Sequence, residues 1–198
     1  METWDDANVT EEQRQMKREV GQSVARVAVK IRQSVEDGRC LDLSDCKLIC
    51  IPDAVFKMMR AVCAHVQVAR LNCNELTSLS VRFINTFSKL QELVLQGNRL
   101  QRLPDEVARM PRLIYIDLSR NKFQEFPEVV THSSSLQKIC LTENSIRDVS
   151  LEKLDAMKSL RCVDLRLNPV VSLQPGEIAR LSFELLYSPT ETNVQGTA

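Results

Sequence analysis

Apolar residues recur through the middle of this chain in one pattern, L-x-x-L-x-L-x-x-N-x-L-x-x-L, where L is any apolar residue and Cys can replace Asn. Leu90, Leu93, Leu95, Asn98, Leu100 and Leu103 fill it, and Pro104 follows. Leu113, Ile116, Leu118, Asn121, Phe123 and Phe126 fill it again before Pro127. Two more copies run through Leu136, Ile139, Leu141, Asn144, Ile146 and Val149, then Leu160, Val163, Leu165, Asn168, Val170 and Leu173. Upstream, Val66, Ala69, Leu71, Asn74, Leu76 and Leu79 make a weaker copy, and Leu41, Leu43, Cys46, Leu48, Ile51 and Pro52 a partial one. The fourth pattern position falls at 41, 69, 93, 116, 139 and 163, at spacings of 28, 24, 23, 23 and 24. A register held over six copies marks an internal repeat.

Each repeat position has a physical reading. In L-x-L the two apolar side chains of a short strand point the same way. Strands are expected near 41–43, 69–71, 93–95, 116–118, 139–141 and 163–165, stacked in parallel. The Asn falls where the chain leaves the strand, and its amide can satisfy buried backbone groups of the turn. Asn74, Asn98, Asn121, Asn144 and Asn168 should form a ladder, with the weak Cys46 thiol in that place in the first copy. One repeat cannot bury its apolar face alone, so both ends of the stack need caps. Met16, Val20, Val24, Val27, Ile31 and Val35 form one helical stripe over residues 11–36. Thr10 and Gln13 resemble a capping box, and Gly38 stops the helix. Leu181, Phe183, Leu185 and Tyr187 alternate, which suggests a closing strand over 182–187. The expected division is 1–9 flexible, 10–37 capping helix, 38–187 six repeats with a C-terminal cap, and 188–198 flexible tail.

Over residues 38–175 the pattern resembles the leucine-rich-repeat family, in its 23-residue intracellular form with L-P after the Asn turn. That resemblance implies an α/β solenoid, curved, with a parallel sheet on its concave face and an N-terminal capping helix. It also implies a non-catalytic adaptor or scaffold that binds another protein on the concave face. Two further roles occur among similar proteins: regulation of an enzyme such as a protein phosphatase, and service in a ribonucleoprotein, as in the spliceosomal A-prime protein.

Composition narrows this. The chain has 198 residues, with 26 Lys plus Arg and 26 Asp plus Glu, so its formal net charge is zero. Direct nucleic-acid binding usually shows a basic excess, so none is expected. The N-terminus METWDDANVTEEQ has neither a basic start nor an apolar stretch, which argues against a secretory signal and leaves the N-x-T match at Asn8 idle. No run suits a membrane span and no lipidation motif is present. The seven cysteines are odd in number and contain no C-x-x-C pair, which suits a reducing compartment. A monomer inside the cell is expected, in the cytoplasm with the nucleus left open, without cofactor and without membrane attachment.

Candidate chemistry is sparse. Cys140 and His132 invite a nucleophile reading, but no third residue orients the histidine and no Gly-rich turn offers an oxyanion site. Cys40, Cys46, Cys50 and Cys63 lack the spacing of a structural zinc site. His65 is read as packing or solvation at the start of the second strand. Lys17, Arg18, Arg26, Lys30 and Arg32 are diluted by acidic residues, so the helix reads as a cap rather than as a membrane or calmodulin ligand. Outward strand positions remain. Asp42 with Arg70, and Arg120 with Glu143, are expected cross-strand ion pairs. The expected protein-binding residues are Val68, Glu92, Val94, Tyr115, Asp117 and Arg120. They centre on apolar or amphipathic side chains at outward positions in consecutive repeats, with charges at the rim.

Overall fold

The computed structural model describes residues 11–171 and 173–188. Helix α1 (Glu11–Asp37) precedes seven three-residue strands: β1 (Cys40–Asp42), β2 (Val68–Arg70), β3 (Glu92–Val94), β4 (Tyr115–Asp117), β5 (Lys138–Cys140), β6 (Cys162–Asp164) and β7 (Glu184–Leu186). They form one open sheet, parallel throughout, in chain order. Leu41, Ala69, Leu93, Ile116, Ile139, Val163 and Leu185 lie side by side in it, so the register of the sheet is the register of the sequence repeat.

The strands begin and end one residue earlier than expected. The second apolar residue of each L-x-L still donates into the ladder, as Leu71 does to Val94 O (2.8 Å) and Leu95 to Asp117 O (2.8 Å). The chain then turns at once. Asp45, Cys73, Gly97, Arg120, Glu143 and Leu167 have positive φ, each directly before the Asn or Cys of its turn, and the first repeat adds Lys47 just after it. Of these only Gly97 escapes the steric cost of the left-handed region.

The asparagine ladder repays that cost. Asn121 donates through Nδ2 to Leu95 O and Leu118 O, both at 3.0 Å, and accepts through Oδ1 from Leu100 N at 3.0 Å. Asn74, Asn98, Asn144 and Asn168 repeat the arrangement, each joining its own turn to the repeat before. In the first copy the Cys46 thiol reaches Ser44 O (3.3 Å), and Asn74 Oδ1 accepts from both Cys46 N and Leu48 N.

Return segments cover the other side of the core. The longest spacing, the first, holds α2 (Asp53–Met58) and two 3-10 turns. The second holds α3 (Val81–Thr86), capped by the Ser80 hydroxyl. The two 23-residue repeats hold single 3-10 segments, Asp105–Arg109 and Glu128–His132, launched by Pro104 and Pro127. Next come α4 (Leu151–Asp155), capped by Ser150, and α5 (Pro175–Ile178). His65 ends a 3-10 turn and is exposed, rather than opening the second strand.

Helix α1 covers the β1 edge. Val27 and Ile31 are buried there and Val35 is partly buried, but Val24 is 64% exposed and does not belong to the buried stripe. A polar series lies beside the apolar one. Ser23 Oγ donates to Cys46 O (2.5 Å), Arg26 to Asp45 O (2.7 Å), and Lys30 Nζ to Ser44 O (2.6 Å) and Asp42 Oδ1 (3.1 Å). Ser34 Oγ accepts from Asp42 N (3.0 Å). Four side chains spaced three or four apart thus satisfy the turn and the outer edge of a strand that has no neighbour on that side. Gly38, at φ 70°, ends the helix with its N–H on Ser34 O. Thr10, residues 1–9 and residues 189–198 lie outside the described residues, as do the side chains of Gln13, Met16 and Val20.

Candidate functional site

Strand alternation presents one set of side chains to solvent across all seven strands. The row at the centre of each strand's L-x-L reads Asp42, Arg70, Val94, Asp117, Cys140, Asp164, Leu186. The row two residues earlier reads Cys40, Val68, Glu92, Tyr115, Lys138, Cys162, Glu184. Helical turns on the opposite side are bulkier than strands, so stacking bends the molecule toward this face.

The six expected binding residues occupy this face and its edge. Glu92 lies beside Tyr115, and Val94 beside Asp117, so Val94 meets Tyr115 diagonally rather than directly. Val68 adjoins Glu92 on the far side. Val68, Val94, Tyr115 and Asp117 are half-buried, whereas Glu92 and Arg120 are exposed. Arg120 stands off the strand, on the turn, and its Nε meets Glu143 Oε2 at 3.0 Å. That expected ion pair is present.

The other expected pair is absent. Asp42 does not meet Arg70; it accepts from Lys30 and from the Ser44 hydroxyl (2.7 Å) and amide (2.9 Å). Lys30 reaches over from α1 and fills the place assigned to Arg70. The Arg70 guanidinium instead donates to the Cys40 sulfur at 3.5 Å. Burial opposes ionisation of Asp42, but the Ser44 hydrogen bonds and Lys30 outweigh it and hold its pKa below the usual range. Asp164 is similar: Arg166 clamps it with Nε at 2.9 Å and an NH2 contact at 2.6 Å, which outweighs burial and lowers its pKa. The sequence signal for this pair is an aspartate at the strand's end with an arginine two residues on, in the turn.

Asp117 differs from these two. It accepts from the Tyr115 hydroxyl (3.1 Å) and from Ser119 N (2.9 Å) and Oγ (2.6 Å), so its carboxylate is fixed in direction. Among the described residues no cation pairs with it, nor with Glu92. Burial, then the neighbouring Asp117 charge, pushes the Tyr115 hydroxyl far above its ordinary pKa, so it stays protonated and donating. Lys138 Nζ lies 5.6 Å from the Tyr115 ring centroid, on the next strand.

Among the described residues no hydrogen bond joins Cys140 and His132. Cys140 lies on the sheet face with Thr142 Oγ1 at 3.5 Å, while His132 is exposed at the end of a return segment. Burial raises the pKa of the Cys40, Cys46 and Cys162 thiols. Among the described residues no group of His, Cys, Asp and Glu has the arrangement of a metal site, and no helix is long and apolar enough to cross a membrane.

Comparison with known proteins agrees with this geometry. The leucine-rich-repeat family pattern matches residues 64–123. The chain is 47% identical over 180 residues to mouse leucine-rich repeat-containing protein 20, covering 89% of the chain and 97% of that protein. The human protein of that name is 46% identical over 99 residues, covering 50% of the chain and 54% of the relative. Among solved structures, a leucine-rich-repeat protein of Leptospira interrogans superposes with a TM-score of 0.59 at 28% identity, over 71% of this chain and 34% of that one.

Proposed function

We propose, from the premise that this chain belongs to the leucine-rich-repeat family alongside leucine-rich repeat-containing protein 20, that it is a non-catalytic adaptor or scaffold whose partner docks on the sheet face around β3 and β4. Repeat domains of this family are protein-interaction modules. The observation that carries the reading is the contrast within the face. Asp42 and Asp164 are neutralised by cations of the same chain, whereas Glu92 and Asp117 carry unpaired charge beside the half-buried Val68, Val94 and Tyr115. A rigid tyrosine on a strand, with its hydroxyl already oriented by Asp117, loses little entropy on binding. The face mixes signs, which suits a protein surface better than a nucleic-acid backbone. An intracellular setting suits the thiols, since Cys46 is committed to a turn and Cys40, Cys140 and Cys162 occupy separate sheet positions.

The test is capture from cytosol followed by affinity measurement on the captured protein. Tyr115→Ala should weaken it by at least about 1–2 kcal/mol, and Val94→Asp should weaken it too. Arg109→Ala, on the return side, should not. Loss with the Arg109 change and retention with the other two would place the partner on the opposite surface.

A further inference from the structure

The charges that this chain leaves unpaired on the sheet face are ordered. Moving across the strands, Arg70 stands on β2, Glu92 on β3, Asp117 on β4 and Lys138 on β5. Among the described residues none of the four has an ion-pair partner within the chain. Their order is positive, negative, negative, positive. Elsewhere on the face Lys30 cancels Asp42 and Arg166 cancels Asp164, and Glu184 stands apart on the last strand, so this run belongs to the centre.

We propose that the face binds an extended segment of a partner protein that carries an arginine between two acidic residues, spaced acidic-x-Arg-x-acidic, and crosses the strands from β2 to β5. The inference rests on the reading above, that a protein docks here, and adds which segment it presents.

Each part of the geometry matches one part of that segment. Glu92, Tyr115, Val94 and Asp117 form a square of register neighbours on β3 and β4. An arginine set over it can lay its methylenes on Val94 and its guanidinium between the two carboxylates at opposite corners, at the edge of the Tyr115 ring, which Lys138 Nζ faces at 5.6 Å. A planar fork suits two separate carboxylate acceptors better than an ammonium does. Asp117 is already aimed by Tyr115 and Ser119, so little reorganisation is needed. From the middle of the square, β2 and β5 are each one and a half strand spacings away, about 7 Å. In an extended peptide, residues two apart face the same way and lie about 6.8 Å from each other. Acidic residues two before and two after the arginine therefore come over Arg70 and Lys138. Arg70 belongs to the later row of its strand and Lys138 to the earlier, so the peptide runs slightly askew to the sheet.

The probe is a capped seven-residue peptide, Ala-Asp-Ala-Arg-Ala-Asp-Ala, titrated into the full chain labelled with 15N. Amide shifts should concentrate at Glu92, Val94, Tyr115 and Asp117. Citrulline in place of the arginine should weaken binding about fivefold or more, since it keeps the shape and removes the charge. Exchanging the signs, to Lys-Ala-Asp-Ala-Lys, should abolish the shifts at these residues. Glu92→Gln and Asp117→Asn should each weaken the first peptide about threefold or more, and Glu184→Gln should leave it unchanged. Equal binding of the arginine and citrulline peptides, shifts centred elsewhere, or no shifts at all would overturn the proposal. The Tyr115→Ala affinity measurement decides the broader docking reading separately, because a partner of other chemistry would still lose affinity there.

Discussion

Asparagine satisfies backbone groups in this fold that no leucine can reach. Asn121 is buried and fills four backbone hydrogen-bonding roles with one amide, including a donation to Ser119 O at 3.1 Å. Truncation strands buried carbonyls and an N–H that water cannot reach, whereas an exposed asparagine would lose only a neutral net exchange. Asn121→Ala should therefore cost about 2–4 kcal/mol in urea unfolding, well above the same change at Asn72, which contributes a single weak contact to Cys73. Equal costs at the two positions would show that the ladder is not structural. The thiols separate in the same way. Cys50 and Cys73 are exposed and should alkylate first, and Cys46, fully buried, should react only on unfolding. Peptide mass spectrometry after timed alkylation reads this order. These roles were legible in the sequence because Asn recurs at a fixed place after L-x-L. The left-handed residue before it was not legible. Asp45, Cys73, Arg120, Glu143 and Leu167 share no chemistry, and the ladder imposes the conformation on whatever stands there.

At the scale of elements, α1 shows what a search for apolar period misses. The apolar stripe in the sequence comprises Met16, Val20, Val24, Val27, Ile31 and Val35, yet Ser23, Arg26, Lys30 and Ser34 also bind the helix to the first strand and its turn. A strand edge has unpaired backbone groups, so the element that covers it needs polar side chains at helical spacing as much as apolar ones. The same omission explains the misassigned Asp42–Arg70 pair: sequence shows the next strand, but not the helix on the other side. Asp42 ties α1 to β1, and its carboxyl titrates below its unfolded value, as does that of Asp164. A carboxyl with a depressed native pKa contributes stability above its unfolded pKa, near 3.9, and loses it as pH falls through the native value. Between the native and the unfolded values the unfolded chain holds the extra protons. The urea midpoint should therefore drop as pH is lowered from about 5 toward 2. Asp42→Asn should lower the midpoint at pH 6 and flatten part of the acid decline. An acid slope identical to wild type would show that Asp42 does not link the helix to the sheet.

Across the whole molecule, one core runs unbroken from Val27 in α1 to Phe183 before β7. No repeat has a core of its own, and each buries its leucines against the next. Six repeats between two covered ends should then unfold as one unit, because losing any repeat exposes two neighbours. Leu118 is the sharpest place to test this. It is fully buried at the second L-x-L position of β4, its N–H bonds Cys140 O at 2.8 Å, and repeats flank it on both sides. Leu118→Ala leaves a cavity at the middle of the stack, at a cost of about 2–5 kcal/mol. Two outcomes differ in kind. If nearest-neighbour coupling exceeds that loss, the variant unfolds in one transition, with a lower midpoint and an unchanged dependence on urea. If coupling is weaker, the stack parts at the fourth repeat. Fluorescence or circular dichroism would then show two steps, or one step of reduced slope. The continuity of the buried series favours the single transition, with amides of β2 and β6 losing hydrogen-exchange protection together. Independent loss at the two strands would contradict a single cooperative core. It would also mean that the sheet face from β2 to β5, where docking is proposed, is held by local contacts instead of by the solenoid as a whole.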